Sequence, residues 1–272
     1  MKDKRRSIKS YRRVVQITIL IGIFVIPFLN VLELYFIKGT FYSMDVGDIA
    51  LSDPLAIFQV VIASKHFSMT MLASVIVPIL AMMLLGRIWC SWMCPYYTLV
   101  EFIGYIRSKL NFKSNKPAYN KNLPHKTNRV RFLFLVFGIF LTGVAAIPLL
   151  NLISAPGVIS SQALILVKFH YLTLEIAFIL VLMILEFFFY RFWCRYLCPT
   201  GTFLSLFKSK RGLHIGKMKP SCTQCRACQK HCPMLLDPFE EGDNLLCFNC
   251  GDCVDVCPDN RNEATLKFKI GR

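Results

Sequence analysis

The sequence has few acidic residues: 16 Asp and Glu stand against 32 Lys and Arg, and charged residues make up only 18% of the 272-residue chain. It also lacks the glycine-rich fingerprint of flavin and nicotinamide enzymes, which argues against hydride input from a soluble dinucleotide. Apolar residues dominate instead, at 55% of the chain. This excess over a typical soluble domain predicts a membrane protein.

Four segments approach the roughly 20 apolar residues that a helix needs to cross a bilayer. They are Val14–Phe36, Ser68–Leu85, Phe132–Ile153 and Leu172–Phe189. The first is too long for a signal-peptide core and is not followed by a small-residue cleavage site. We therefore interpret the Arg5-Arg6 pair before it as a basic anchor flank and not as a twin-arginine signal.

The positive charges predict the topology. Of the 32 Lys and Arg residues, 29 fall in residues 1–13, 87–131 and 191–272, and only 3 in residues 37–67 and 154–171. Because Lys and Arg accumulate on the cytoplasmic side, both termini are predicted to be cytoplasmic. This sorting accounts for the net charge of +16 without nucleic acid. Lipid headgroups are the expected anionic partner.

An internal repeat organises the membrane part. The segment Arg87–Pro95 recurs as Arg191–Pro199, and both contain the pattern Cys-x3-Cys-Pro. Each repeat reads as a crossing, a short outer segment, a second crossing and a Cys motif, so the repeats are expected to be parallel. The short apolar stretches Leu55–Ala63 and Ile159–Val167 cannot span, and are either re-entrant or amphipathic surface segments.

These patterns predict an α-helical membrane protein with four transmembrane helices in two parallel repeats, plus a small α+β cytoplasmic tail like a two-cluster bacterial ferredoxin. The domain boundaries follow in chain order. They are a basic cytoplasmic N-terminus at 1–13, membrane repeat 1 at 14–110, a cytoplasmic linker at 111–129, membrane repeat 2 at 130–211 and the tail at 212–272.

The tail contains two runs of closely spaced cysteines, each with the spacing Cys-x2-Cys-x2-Cys-x3-Cys-Pro. This is the bacterial pattern for two [4Fe–4S] clusters, in which the fourth Cys of each run binds the other cluster. Cluster one is assigned Cys222, Cys225, Cys228 and Cys257, and cluster two Cys247, Cys250, Cys253 and Cys232. A zinc site normally has two separated Cys pairs, and disulfides are rare in the cytoplasm, so both alternatives fit less well.

The two Cys-x3-Cys-Pro motifs place Cys90, Cys94, Cys194 and Cys198 at the inner ends of the second and fourth crossings. The pseudo-two-fold axis brings the four thiols together if the repeats pair. They are then ligands of a metal or a further cluster, redox-active thiols, or reduced thiols that only pack. Arg87 and Arg191, which precede the motifs, are interpreted as interfacial anchors, with a role beside a cofactor as the alternative.

Four ionisable residues near the outer side are candidates for proton transfer or quinol binding: His66, His170, Glu33 and Glu175. Histidine takes up protons near neutral pH, and ionisable groups within a membrane usually face the bundle interior. Two His residues are also a possible haem ligand pair, and plain helix-end polarity is the simpler alternative.

The whole constellation resembles the NapH family of membrane ferredoxin-type proteins, whose relatives include NosR, MauN and CcoG. The resemblance rests on Asp53-Pro54-Leu55, on both Cys-x3-Cys-Pro motifs and on the two ferredoxin runs. It implies a quinol dehydrogenase subunit that takes electrons from menaquinol or ubiquinol and passes them to an iron–sulfur or cytochrome partner. The segment between the ferredoxin runs, Pro233–Leu246, is shorter than the family leads us to expect, and no large domain follows Cys257 as in CcoG.

Two other functions fit the same residues. A maturation factor would use the clusters to reduce copper or a protein thiol at the Cys-x3-Cys motifs. A redox sensor would signal through the tail, although the sequence offers no dedicated output domain. The oligomeric state, the quinone type and the terminal acceptor are not specified by any motif.

Overall fold

A computed structural model of the protein describes residues 7–32, 37–40, 42–46, 49–112, 116–117, 119–209, 211–217, 222–261 and 265–271. Within these residues the chain is mostly helical and contains two small antiparallel sheets. The long helices fall in the two predicted repeats. The elements of the tail are all short.

The first repeat combines five helices with a three-stranded sheet. In chain order the elements are α1 (Ile8–Val31), β1 (Ile37–Thr40), β2 (Ser43–Val46), β3 (Ile49–Ser52), α2 (Pro54–Ser64), α3 (Met69–Leu85), α4 (Ile88–Trp92) and α5 (Pro95–Lys109). Strand β1 packs on α1 and strand β3 packs on α3. The described part of the predicted first outer loop is therefore folded against the helices.

The second repeat has no sheet among its described residues. Its elements are α6 (Leu123–Ala145), α7 (Leu149–Leu152), α8 (Ala155–Phe169), α9 (Glu175–Phe188), a π-helical turn (Trp193–Leu197) and α10 (Pro199–Leu206). A helix, α5 or α10, follows each Cys motif directly. Both begin with a proline, which suits the first helical position because its missing N–H has no intrahelical partner there.

Two described helices, α1 and α6, are long and apolar enough to cross a bilayer. Helix α3 has 17 residues and α9 has 14. The predicted segment Phe132–Ile153 is not one helix, and this boundary was wrong. Helix α6 ends at Ala145, the next residue has a left-handed φ of 53°, and Leu150 then packs directly onto Gly138, where a side chain would overlap it. An apolar run does not show where the chain reverses.

The short apolar segments form helices inside the helical part. Helix α8 packs against α1, α5 and α9, and α2 packs against α6 and α3. Ser154, which precedes α8, shares a 2.9 Å hydrogen bond with Thr200, just after the second Cys motif. Of the two alternatives, this packing favours re-entrant helices over surface segments, since half-length helices at membrane depth must be buried in protein.

The tail is built from two strands and two short helices. Strands β4 (His214–Lys217) and β5 (Leu266–Lys269) pair antiparallel, and helices α11 (Ala227–His231) and α12 (Asp252–Val256) pack on each other. Each helix lies inside one Cys run. The first and last described segments of the tail therefore meet, which closes it into one small unit.

Candidate metal centre

The two Cys-x3-Cys turns have matching local geometry. The backbone N–H of Cys94 donates to the carbonyl of Trp89 at 3.0 Å, and that of Cys198 donates to Trp193 at 2.9 Å. Both bonds span five residues, wider than in an α-helix, and wide turns of this kind are common at functional sites. The second Cys of each motif then becomes the residue that precedes α5 or α10.

Helix N-termini favour a thiolate at this position because free backbone N–H groups point towards it. The thiol of Cys198 accepts a hydrogen bond from the N–H of Gly201 at 3.3 Å. Cys94 receives comparable help from the backbone of Tyr97 and Tyr96.

The structure brings the four thiols of these motifs together. Cys94 lies close enough to Cys90 and Cys198 to feel their charges, and Cys194 interacts in the same way with Cys198 and Cys94. Three of them pack against one apolar cluster that includes Tyr96 and Trp193. The proximity expected from the pseudo-two-fold relation is therefore present.

Burial makes these thiols poor free nucleophiles. It raises the pKa of Cys198 to about 11, against the opposing effects of the Gly201 N–H, Arg131 and Arg87. It also raises the pKa of Cys94 well above the ordinary value for a thiol. Reactive redox thiols usually have a lowered pKa, whereas metal ligands lose their proton when the metal binds. The environment thus favours ligands over redox-active thiols.

Buried arginines surround the thiols. The Nη2 atom of Arg87 is 3.9 Å from the sulfur of Cys90, and Arg131 donates from Nε to Thr202 at 3.1 Å. Both side chains are only 1% exposed. Within the described part of the chain, Nη1 and Nη2 of Arg131 and Nε of Arg87 have no hydrogen-bond acceptor. Buried unpaired cations are costly, so this arrangement suits an anionic group between them.

The interpretation of Arg87 as an interfacial anchor was wrong, because its side chain faces the thiols and the tail and not the membrane surface. Its Nη1 atom donates to the carbonyl of Leu245 at 2.7 Å. Arg191 is also covered, with 11% of its side chain exposed, and lies over the ring of Tyr97. The sequence pattern does not separate an anchor from a buried cation, since both stand next to aromatic residues.

The donor set fits an iron–sulfur cluster better than a single ion. Among the described residues no group of three or more His, Cys, Asp or Glu side chains is close enough to hold one metal ion. A cubane cluster is several ångströms across and holds its four thiolates further apart than one ion does. Buried thiols with cations beside them match the negative charge of such a group.

In the tail, all four cysteines assigned to cluster two line one cavity: Cys232, Cys247, Cys250 and Cys253. Cys253 also lies near enough to the other three for their charges to interact. Of the cysteines assigned to cluster one, Cys228 interacts with Cys222 and Cys257, and Cys225 is exposed. This pairing across the two runs agrees with the bacterial ferredoxin pattern, in which the fourth Cys changes cluster.

The tail docks directly on the first Cys-x3-Cys turn. Ser91 donates to the carbonyl of Phe248 at 2.6 Å, and the indole of Trp92 donates to Asn249 at 3.2 Å. Arg12, which is fully buried in α1, donates to the carbonyl of Cys250 and forms an ion pair with Asp252 at 3.0 Å. The second Cys run is thus held by residues of the helical part.

One apolar cluster joins the two sets of thiols. Its buried members include Cys232 and Cys250 of the tail, together with Tyr97 and Phe248, whose ring centroids are 5.2 Å apart. Packed against the same cluster are Cys90, Cys94, Cys194 and Cys247. Cysteines of the membrane motifs and of the site assigned to cluster two therefore pack against the same apolar residues.

The four residues proposed for proton transfer or quinol binding are not next to the cysteines in sequence. His66 and His170 are exposed and follow the C-terminal ends of α2 and α8. Glu175 begins α9 and accepts a hydrogen bond from Gln162 at 2.8 Å. Glu33 lies outside the described residues. Their assignment as proton or quinol residues stays a prediction.

Sequence reasoning missed two of the residues that shape the site. Arg131 was counted only as one of the positive charges that set topology, although it is buried beside Cys198. Arg12 was placed in the basic N-terminal segment but reaches the second Cys run. Their distance in sequence from the cysteines gave no signal of either contact.

A family-model match and similar curated proteins support a ferredoxin-type 4Fe–4S protein with membrane-like features and a role in electron transport. A family model described as a 4Fe–4S binding domain matches the chain twice, at residues 67–113 and 170–217. Each match contains one Cys-x3-Cys-Pro motif. No solved structure matches the chain.

Among curated proteins, the chain is similar to NapH and MauN. It is 26% identical to the ferredoxin-type protein NapH of Escherichia coli, over 87% of this chain and 83% of that protein. It is 25% identical to the methylamine utilization ferredoxin-type protein MauN of Methylorubrum extorquens, over 95% and 88%. An uncharacterised protein of Methanocaldococcus jannaschii is 28% identical over 73% and 80%. The predicted resemblance to NapH-type proteins is confirmed.

Proposed function

We propose that this protein is a quinol dehydrogenase subunit of a prokaryotic cytoplasmic membrane. It takes electrons from menaquinol or ubiquinol and passes them to an iron–sulfur or cytochrome partner. The observation that carries the proposal is the shared apolar cluster, in which thiols of the membrane motifs and of the tail pack together. A continuous protein path from the membrane to a ferredoxin-like surface is what such a relay requires.

The proposed topology has four crossings, α1, α3, α6 and α9, with both termini and the tail in the cytoplasm. Its support is the distribution of Lys and Arg, since 29 of the 32 fall in the segments assigned to the cytoplasm. Outward-facing apolar side chains on each of these helices agree with contact to lipid, among them Ile17, Leu80, Leu133 and Leu180.

Three cofactor positions are proposed. Cys222, Cys225, Cys228 and Cys257 would hold cluster one, and Cys232, Cys247, Cys250 and Cys253 cluster two. Cys90, Cys94, Cys194 and Cys198 would hold a further [4Fe–4S] centre, which the twice-matched 4Fe–4S family model supports. When bound, these clusters accept and release single electrons. The protein contributes buried cations and backbone N–H groups that tune the potential.

Reduction by quinol tests the function. The full chain is purified anaerobically in detergent, and its visible iron–sulfur absorbance is followed after adding menaquinol. We expect bleaching at a catalytically useful rate, with dithionite defining full reduction. Clusters that dithionite reduces and menaquinol leaves oxidised would contradict the proposal.

Serine replacement tests the further centre. In the double variant Cys90→Ser, Cys194→Ser we expect the iron content to fall from about twelve to about eight atoms per chain. Cys222→Ser is the matched control, since it should remove a tail cluster and leave the signal of the membrane centre. Unchanged iron with lost quinol reactivity would indicate redox thiols, and unchanged iron with full reactivity would indicate packing alone.

The second candidate is a maturation factor that reduces copper or a protein thiol at the same four cysteines. Convergence of the four thiols favours it as well. Copper bound at these positions in the purified protein, together with no reaction towards quinol, would support this function. The burial that raises the pKa of Cys198 to about 11 argues against free thiol exchange there.

A further inference from the structure

A cavity of about 360 Å³ lies between the sheet of the first repeat, α3 and both Cys motifs. Its walls are almost entirely apolar, and its volume is typical of small-molecule sites. Trp89 and Met93, which precede Cys90 and Cys94 in the first motif, form one side. Thr200 follows the second motif and lies two residues after Cys198. The cavity is therefore lined by residues next to the cysteines of both repeats.

One carboxyl group faces this apolar space. Asp53 precedes α2 and accepts the N–H of Leu55 at 3.2 Å, which fixes its position at the cavity wall. Burial raises the pKa of Asp53 to about 6. Such a group is ionised at neutral pH and is still basic enough to take a proton from a bound ligand. No ion pair neutralises it among the described residues.

Tyr42 lies near the carboxyl group and near two of the thiols. Its pKa is raised first by burial and then by the nearby Cys94, Asp53 and Cys198, so it lies within reach of all three charges. Its ring meets that of Trp89 edge to face, with centroids 6.3 Å apart. Both residues line the cavity, and because their planes are perpendicular, one of the two rings can present its face to an aromatic ligand.

The cavity is accessible from the lipid side. Val77 and Leu85 line it from α3 and are also 53% and 43% exposed on the apolar outer face of that helix. A ligand that arrives here would come from the membrane and not from water. Together with the apolar walls, this indicates a lipid-soluble aromatic ligand that carries a removable proton.

We propose that this cavity binds the ring of a membrane hydroquinone, with Asp53 as the group that accepts its protons. The inference rests on the proposed function, which supplies the electron acceptors. Oxidation breaks the two O–H bonds of the hydroquinone and yields the quinone, two protons and two electrons. Each proton passes to the carboxylate of Asp53, which releases it to water before the next, and the electrons leave one at a time for the iron–sulfur centres.

Two variants separate binding from proton transfer. Ala81→Phe fills the cavity from α3, and Ala73→Phe on the exposed part of the same helix is its control. Asp53→Asn keeps a residue that caps helices well but removes the proton acceptor. Its control is Asp45→Asn, at an exposed position of β2. Unchanged dithionite-reducible absorbance identifies variants that are correctly folded.

The probes are menadione for binding, measured by titration calorimetry, and its reduced form menadiol for reduction, measured by stopped-flow absorbance. We expect Ala81→Phe to weaken menadione binding at least about tenfold. Asp53→Asn should bind menadione nearly as the wild type does, but slow reduction by menadiol about 100-fold, the usual scale for loss of a general base. Both controls should behave as the wild type.

The outcomes distinguish the cavity from the function. If menadiol reduces the wild type and both Ala81→Phe and Asp53→Asn match their controls, the cavity is not the site, although the proposed function stands. If menadione binding is sensitive to Ala81→Phe but menadiol does not reduce the wild type, the cavity binds quinones. That result would contradict both the proposed function and the proton-accepting role of Asp53.

Discussion

At the scale of single residues, the buried positive charge of Arg131 depends most directly on what binds at the cysteines of the two Cys-x3-Cys motifs. Its guanidinium is buried beside Cys198, Cys90 and Cys194, and Arg87 adds a second positive charge nearby. Two like charges at one buried position repel each other unless an anion lies between them. A cluster with four thiolate ligands carries a net negative charge that grows on reduction, so Arg131 should stabilise the reduced form.

If Cys90, Cys94, Cys194 and Cys198 hold the proposed membrane centre, replacing Arg131 with Gln should make that centre harder to reduce. We expect its potential to fall by about 60 mV, a tenfold change in the equilibrium constant of a one-electron couple. The measurement is a redox titration, by electron paramagnetic resonance, of the signal that Cys90→Ser, Cys194→Ser removes. Arg129→Gln, exposed on the same helix, is the control and should leave the potential unchanged. An equal shift of the reduction potential in both variants would mean that the overall positive charge of the protein, and not the position of Arg131 beside the cysteines, sets the potential.

The assignment of the eight tail cysteines to two clusters stays a prediction, which their spacing alone makes residue by residue. The cations around the membrane thiols were not. Arg87 stands three residues before Cys90 and was still interpreted as an anchor, since sequence spacing does not show which way a helix end faces. Asp53 was noticed only as part of a resemblance, and its place in a cavity depends on the fold of the sheet.

At the scale of elements, the N-terminus of α1 is capped by the tail. The carboxylate of Asp255 accepts from the hydroxyl of Ser7 and from the backbone N–H groups of Ile8 and Lys9, at 2.5, 3.0 and 2.9 Å. An acidic group at a helix N-terminus satisfies free donors and complements the helix dipole. The cap comes from residues more than 240 positions away, so it is tertiary in origin.

Asp255→Ala should lower the free energy of unfolding by about 1 kcal/mol, the usual cost of losing such a cap. Denaturant unfolding followed by circular dichroism gives the value, with the holoprotein in the same detergent. Asp243→Ala, at an exposed position of the tail, is the control. Equal stability of the two variants would mean that the cap contributes nothing to the docked state.

The starts of α5 and α10 were predictable because proline marks their first position. The end of α6 was missed, although Pro148 lies three residues beyond Ala145 and proline commonly follows the end of a helix. Leu150 also packs closely on Gly138 after this turn. The small sheet of the first repeat was also missed. Its strands are four residues each, too short for an alternating pattern to stand out.

At the scale of the whole molecule, the tail and the helical part form one connected structure. Besides the cap at Asp255, Asn249 donates to the carbonyls of Leu85 and Leu213, and Lys208 donates to Asn244 at 2.7 Å. The sequence predicted two units separated near residue 212 but gave no information about how they meet. Contacts between segments that are distant in sequence can be identified only from the three-dimensional fold.

Because of these contacts, we expect loss of iron from the tail to destabilise the start of α1 in the helical part. A unit of about 60 residues with little core of its own depends on its clusters for folding. Without the clusters, we expect the cavity lined by Cys232, Cys247, Cys250 and Cys253 to lose its structure. Helix α12, which carries the capping Asp255, would then lose its fixed position. The first turn of α1 then loses its acceptors, and its backbone amides become free to exchange.

We therefore expect iron removal from the full chain to raise hydrogen exchange in two places: residues 222–257 and the first turn of α1 from Ile8. The measurement is hydrogen–deuterium exchange with mass spectrometry on holo and iron-depleted protein in the same detergent. The middle of α6 around Leu135, buried and remote in sequence from the tail, serves as the internal reference. Faster exchange in the tail with no change at the start of α1 would show that the two parts fold independently. Parallel increases, with α6 unaffected, would show that the tail clusters support the helix on which Arg12 and its contact to Cys250 depend.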